Sequence, residues 1–146
     1  MIDPAKTKAF MEGIWDGEII PALTDYIRIP NKSPAFDPDW EKHGHMDKVV
    51  EMFTAWAREK LKQLPGSKLD VVKLPGRTPL IFIEVPGKAG ASAGPIAAAY
   101  GRATNKESTI LMYGHLDKQP EMKGWAEGTG PWTPVLKDDK LYGRGG

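Results

Sequence analysis

The chemistry-bearing residues of this chain converge on one short stretch, Gly114-His115-Leu116-Asp117. It follows an apolar, β-branched run over residues 108–113, STILMY, whose composition predicts a buried strand. Side chains two apart on an extended segment point to the same face, so His115 and Asp117 are expected together, with Leu116 turned away. Imidazole is a good zinc ligand, and a nearby carboxylate fixes its ring and tunes its basicity. The tetrapeptide alone is weak evidence. Gly44-His45-Met46-Asp47 has the same form, yet it leads into a helical pattern instead of following a strand.

Other polar groupings invite weaker readings. His43 and His45 form a His-x-His pair at a helix start with charged neighbours, where a surface or substrate-side role is expected ahead of metal binding. Asp138 and Asp139 are adjacent, so on extended backbone they face opposite ways, and Lys-Asp-Asp-Lys reads as a solvated hairpin turn. Trp125 and Trp132 sit in a Gly- and Pro-rich stretch and are expected to clamp that loop by burial, with a wall beside a metal pocket as the alternative. Arg144 either pairs with a carboxylate or anchors its loop. Residues 87–94 have the composition of a flexible linker and lack the Lys-Ser or Lys-Thr ending of a phosphate-binding loop.

The elements that must position these residues follow from periodicity and punctuation. Asp3-Pro4 is a helix start, and Phe10, Ile14, Ile20, Leu23 and Ile27 continue an apolar stripe. Pro21 should kink that helix or begin a second one after Gly17, and the segment should end at Ile29-Pro30. Residues 31–40 read as a loop. Met46, Val49, Val50, Phe53, Trp56, Ala57, Leu61 and Leu64 recur at helical spacing until Pro65-Gly66, and their stripe is core packing. Residues 69–74 and 79–85 read as strands, and 96–103 as a weak strand or a helical turn. Helices followed by strands, with the His-Asp pair at a strand end, argue for an α/β layered domain.

Bulk composition narrows the function classes. A chain of 146 residues can form one modest domain, and 40% hydrophobic with 27% charged residues is ordinary for a globular protein. Lys plus Arg is 20 against 19 acids, so no overall charge draws it to nucleic acid or to an anionic membrane. There is no cysteine, which excludes disulfides and thiolate zinc sites and leaves His and carboxylates as metal donors. No long apolar segment or signal-peptide core is seen, so a cytoplasmic protein is the default expectation.

Several motifs agree on a family. Gly114-His115-Leu116-Asp117-Lys118-Gln119-Pro120, Gly124-Trp125, Trp132-Thr133-Pro134 and Leu141-Tyr142-Gly143-Arg144-Gly145 occur in order. Together they resemble the dinuclear zinc peptidases and amidohydrolases that include carnosine dipeptidases, aminoacylases, carboxypeptidase G and succinyl-diaminopimelate desuccinylase, the dipeptidase branch most of all. The close match covers residues 109–146. A looser one runs back to residues 23–30, LTDYIRIP, which resemble the family's entry helix, although Asn31 stands where a serine usually follows the proline.

That resemblance implies a mixed central sheet flanked by helices, with His115 as a ligand of one metal and Asp117 as the catalytic-site carboxylate that orients it. It implies two zinc ions per complete site, with manganese or cobalt as alternatives, acting on a metal-activated water. The implied substrate is a small peptide or an N-acyl amino acid, and the implied parent is a homodimer. The family's bridging Asp should follow Gly-Arg-Gly, and the sequence stops at Gly146. Residues 1–146 are therefore expected to be the N-terminal portion of a catalytic domain, without its lid and dimerisation domain, and inactive alone. A deacylase or desuccinylase of the same family and a non-catalytic binding or assembly fragment are the alternatives.

Overall fold

The computed structural model describes residues 3–87 and 109–145. Helix α1 (Pro4–Ile14) begins where Asp3 Oδ1 accepts the amides of Ala5 at 3.0 Å and Lys6 at 3.2 Å, with Pro4 in the first turn. A π-helical turn (Trp15–Ile19) then leads into α2 (Ile20–Ile27). Pro21 has no N–H for the carbonyl one turn back, and the Ile20 amide reaches five residues back to Trp15 instead. The expected proline kink is thus a widened turn. Helix α1 buries none of its residues, whereas α2 ends on the buried Tyr26 and Ile27.

A loop of turns carries the chain to the short α3 (Trp40–His43) and then to α4 (His45–Leu61). Gly44, at φ +67°, ends the first and starts the second, a left-handed conformation that glycine adopts without strain. Met46, Val49, Val50, Thr54 and Ala57 form the buried face of α4. Phe53 meets Tyr26 edge to face, with ring centroids 5.3 Å apart, and Lys60 pairs with Glu18. The buried residues of α2 and α4 make up the core, and the apolar stripe read from the sequence is borne out at Met46, Val49, Val50 and Ala57, whereas Trp56 and Leu64, expected in it, are exposed.

Strands β1 (Lys68–Val72) and β2 (Leu80–Glu84) form an antiparallel hairpin in which Leu69 faces Ile83 and Val71 faces Ile81. Lys73 ties its far end to Asp47 of α4 at 2.6 Å. A second hairpin pairs β3 (Val135–Lys137) with β4 (Lys140–Tyr142). Asp138 and Asp139 form its two-residue turn with φ of 52° and 57°, so the polar-turn reading holds and both carboxylates belong to the turn.

The described chain is thus mixed α and β, and its named strands make two separate two-stranded antiparallel sheets. The strand expected over residues 108–113 is corrected: residues 109–113 have no regular structure, and Ile110, Leu111, Met112 and Tyr113 are 86–88% exposed. Apolar, β-branched composition supplies a propensity, but a strand exists only through a pairing edge. No described strand offers one to this run. The weak element expected at 96–103, and most of the linker read at 87–94, lie outside the described residues.

Candidate metal-ligand site

His115 and Asp117 come together without a strand to carry them. His115 Nδ1 lies 3.0 Å from Asp117 Oδ1 and 3.1 Å from the Asp117 carbonyl. Both neighbours are acceptors, so Nδ1 carries a hydrogen, and in the neutral ring the lone pair is on Nε2. The His115 side chain is 64% exposed, and the Asp117 side chain is about a third exposed.

The loop is held from behind by the end of α2. The carbonyl of Leu116, between the two site residues, accepts from Tyr26 Oη at 2.8 Å and from Asn31 Nδ2 at 2.6 Å. One residue further, the Lys118 amide donates to Asn31 O, and Lys118 O accepts from the Ser33 amide, both at 2.9 Å. These bonds form an isolated parallel bridge between Lys32 and Lys118. Tyr26 and Asn31 are buried, and burial lifts the Tyr26 phenol to about 12. Neither residue stood out in the sequence as a site residue. Asn31 registered only as a departure at the end of the entry helix, a position that here grips the site-bearing peptide.

An open cavity of about 290 Å³ adjoins the pair, walled by Tyr26, His115, Asp117, Lys118, Arg144 and Gly145 among others. Arg144 Nε donates to Pro120 O at 2.9 Å and its amide donates to Pro131 O at 2.7 Å, so its loop-anchoring role is the one observed. Trp125 Nε1 donates to Glu121 O at 2.9 Å within its own loop, as expected of a clamp. Gly143 and Gly145 lie directly on Ile27 and Tyr26, so the Gly-Arg-Gly turn closes over the end of α2.

A second cavity of similar size involves Lys32, Asp37, His43, His45, Glu121 and Trp132. His43 Nδ1 donates to the buried Asp37 Oδ2 at 2.8 Å, and this bond holds the Asp37 carboxyl below its ordinary range. The His43 and His45 rings stand 5.8 Å apart, and burial is the main cause lowering His45. Lys32 bonds Glu121 at 3.0 Å, and the Glu121 carboxyl is held low by its own backbone N–H and then by Lys32.

The donor chemistry fits one metal ligand. His115 presents a free imidazole nitrogen, with a carboxylate fixing the other, at a cavity wall. Among the described residues no group of three His, Cys, Asp or Glu is arranged to hold a metal ion. A catalytic zinc takes about three protein ligands. The described residues therefore suit a part of a centre and not a whole one.

Comparison with known proteins agrees with that chemistry. The chain is 37% identical over 93 residues to the Beta-Ala-His dipeptidase of Rattus norvegicus, covering 62% of this chain and 17% of that protein. It is 30% identical over 130 residues to the Mus musculus enzyme of the same name, covering 88% of this chain and 23% of that protein. An uncharacterised metallohydrolase of Methanocaldococcus jannaschii is 45% identical over 40 residues, 27% of this chain and 10% of that protein. The chain is a distant homologue of dipeptidases and a metallohydrolase. No family model matches it. The homologous region spans about a fifth of the length of the two dipeptidases. At this coarser level the hydrolase homology bears out the resemblance drawn from the motifs. No helix among the described residues is long and apolar enough to cross a membrane.

Proposed function

We propose that this chain supplies part of the active site of a metal-dependent peptidase of the dipeptidase type, which cleaves a peptide or amide bond in a small substrate. The observation that carries the proposal is the Nδ1–H of His115 donating to Asp117 at the wall of an open cavity, with Nε2 free. His115 is the metal ligand and Asp117 the carboxylate that holds its tautomer and ring plane. With no cysteine in the chain, the imidazole and carboxylate donors suit zinc. Two zinc ions per complete centre and a homodimeric parent are carried over from the family resemblance, and a cytoplasmic setting from the sequence's lack of a signal-peptide core.

When bound, the metal supplies Lewis-acid polarisation of the scissile carbonyl and a water acidic enough to attack near neutral pH. This chain's residues hold and aim the donor. Tyr26 and Asn31 fix the Leu116 carbonyl, Asp117 fixes His115, and Arg144 pins the loop that forms the far wall. Other ligands and the proton-transferring carboxylate come from a longer protein of which this chain is a portion.

The test uses β-alanyl-histidine and zinc with the intact protein. His115→Ala should abolish hydrolysis, a loss of at least about a hundredfold, and near-normal turnover would overturn the ligand assignment. The 146-residue chain alone should show neither turnover nor firm zinc retention. N-acyl amino acids belong in the same assay, because a deacylase or desuccinylase would prefer them. A second reading, a non-catalytic assembly fragment, is favoured by the solvent-facing run over 110–113. Sedimentation over a range of concentrations tests it, and a monomer throughout counts against it.

A further inference from the structure

Lysine is rarely buried, yet Lys118 is 3% exposed and lies next in sequence to the carboxylate of the site. Its Nζ donates to Tyr26 O at 2.5 Å and Ile29 O at 2.7 Å, with Ile27 O further off at 3.4 Å. These are carbonyls at and just beyond the C-terminal end of α2, where the negative end of the helix dipole lies, and Tyr26 O and Ile29 O each also accept one local amide, from Ile29 and Asn31. The same ammonium sits 3.7 Å from the centroid of the Tyr26 ring and 5.5 Å from that of Trp132. A Cβ added at Gly145 would stand 3.0 Å from Lys118 Cε, so the Gly-Arg-Gly turn rests on the lysine's aliphatic chain. One side chain thus touches the helix end and the turn that wall the cavity, while its backbone belongs to the loop that carries His115 and Asp117.

We propose that Lys118 is the positioning residue of the His115–Asp117 pair, anchoring the loop to the end of α2 so that the carboxylate stays under the imidazole. The consequence for activity rests on the reading of His115 as a metal ligand, whereas the positioning itself does not. Without the side-chain anchor, the loop keeps the backbone bridge to residues 31–33, the two bonds on Leu116 O and, further along, the bonds of Arg144 to Pro120 O and Lys32 to Glu121. Those bonds hold the peptide planes on both sides of Asp117, and the lysine side chain adds the loop's tie to the carbonyls of Tyr26 and Ile29. Carbonyl dipoles and aromatic faces meet the charge on Nζ, while burial, acting against them, lowers the amine to about 7. A methionine fills the same volume and bonds none of the carbonyls, which makes Lys118→Met the informative change.

The primary experiment reads the His115 tautomer by 15N NMR in the 146-residue chain, comparing wild type, Lys118→Met and Val49→Ala. Val49 is buried in α4 and makes a destabilised control away from the loop. With all three folded at the temperature used, the Nδ1–H form should dominate in wild type and Val49→Ala, and Nε2–H should rise severalfold in Lys118→Met. An unchanged tautomer in a folded Lys118→Met overturns the proposal, and equal change in Val49→Ala overturns it as well. In the intact protein with zinc and β-alanyl-histidine, Lys118→Met should lower kcat about 10- to 100-fold with little change in KM. If wild type hydrolyses nothing while the tautomer still shifts, the hydrolase reading falls and the positioning role stands.

Discussion

A single carbonyl shows how the site is held. Leu116 O accepts from both Tyr26 and Asn31, so the two donors share one acceptor and their removal is not additive. Tyr26→Phe should cost about 1 kcal/mol and Asn31→Ala about 1–2 kcal/mol by urea unfolding. The double variant should cost more than the sum, because the second loss strips the carbonyl of its remaining side-chain partner. The meeting of His115 and Asp117 was legible from residue type and i, i+2 spacing, which needs only extended backbone. The roles of Tyr26, Asn31 and Lys118 were not legible. Each acts on a partner 85–92 residues away, and no local pattern encodes such a pairing.

Among the elements, the helices were readable because each announces itself within a few residues. Asp3 caps, Pro21 alters the hydrogen-bond ladder, and the apolar residues of α4 recur every three or four positions. Strands β1 and β2 were readable as strands, though not as a hairpin, and residues 109–113 required an edge supplied from elsewhere in the fold, which local composition cannot specify. Two glycines with opposite surroundings give a paired prediction. A Cβ at Gly143, at φ +150°, would collide with Ile27 Cγ2, so Gly143→Ala should destabilise by about 1–3 kcal/mol. Gly13 lies within exposed α1 with nothing near its Cβ position, and Gly13→Ala should favour the helix by about 0.5–1 kcal/mol. Urea midpoints test the first and far-UV circular dichroism the second. At the β3–β4 turn both central residues have positive φ, so Asp139→Gly should raise stability by up to about 1 kcal/mol.

At the scale of the whole molecule, two buried groups among the described residues, Lys118 and Tyr26, shape stability against pH in opposite directions. Lys118 falls to about 7 on folding from an ordinary 10.5. Between those values the unfolded chain holds more protons, so stability rises with pH, by at most about 1.4 kcal/mol per unit. Tyr26 rises from 10.0 to about 12, so above pH 10 the folded chain holds more protons and stability falls. Urea unfolding from pH 6 to 11 should show a maximum near pH 10. Lys118→Met should flatten the rise and leave the alkaline fall in place, and an unchanged rise would contradict the assignment to Lys118. The pairing of His115 with Asp117 is local in sequence, while the pH response depends on a tertiary cluster of α2, the site loop and the 143–145 turn.

The bridge between Lys32 and Lys118 has a temporal implication. Ribosomes add about 5–20 residues per second, so the end of α2 emerges roughly 4–17 s before the loop that completes it. During that interval the carbonyls of Tyr26 and Ile29 have their local amides but not the Lys118 ammonium, and the paired imidazole and carboxylate do not yet exist. The His115–Asp117 pair therefore forms only once residues 115–118 have emerged, on a surface that the first thirty residues prepared.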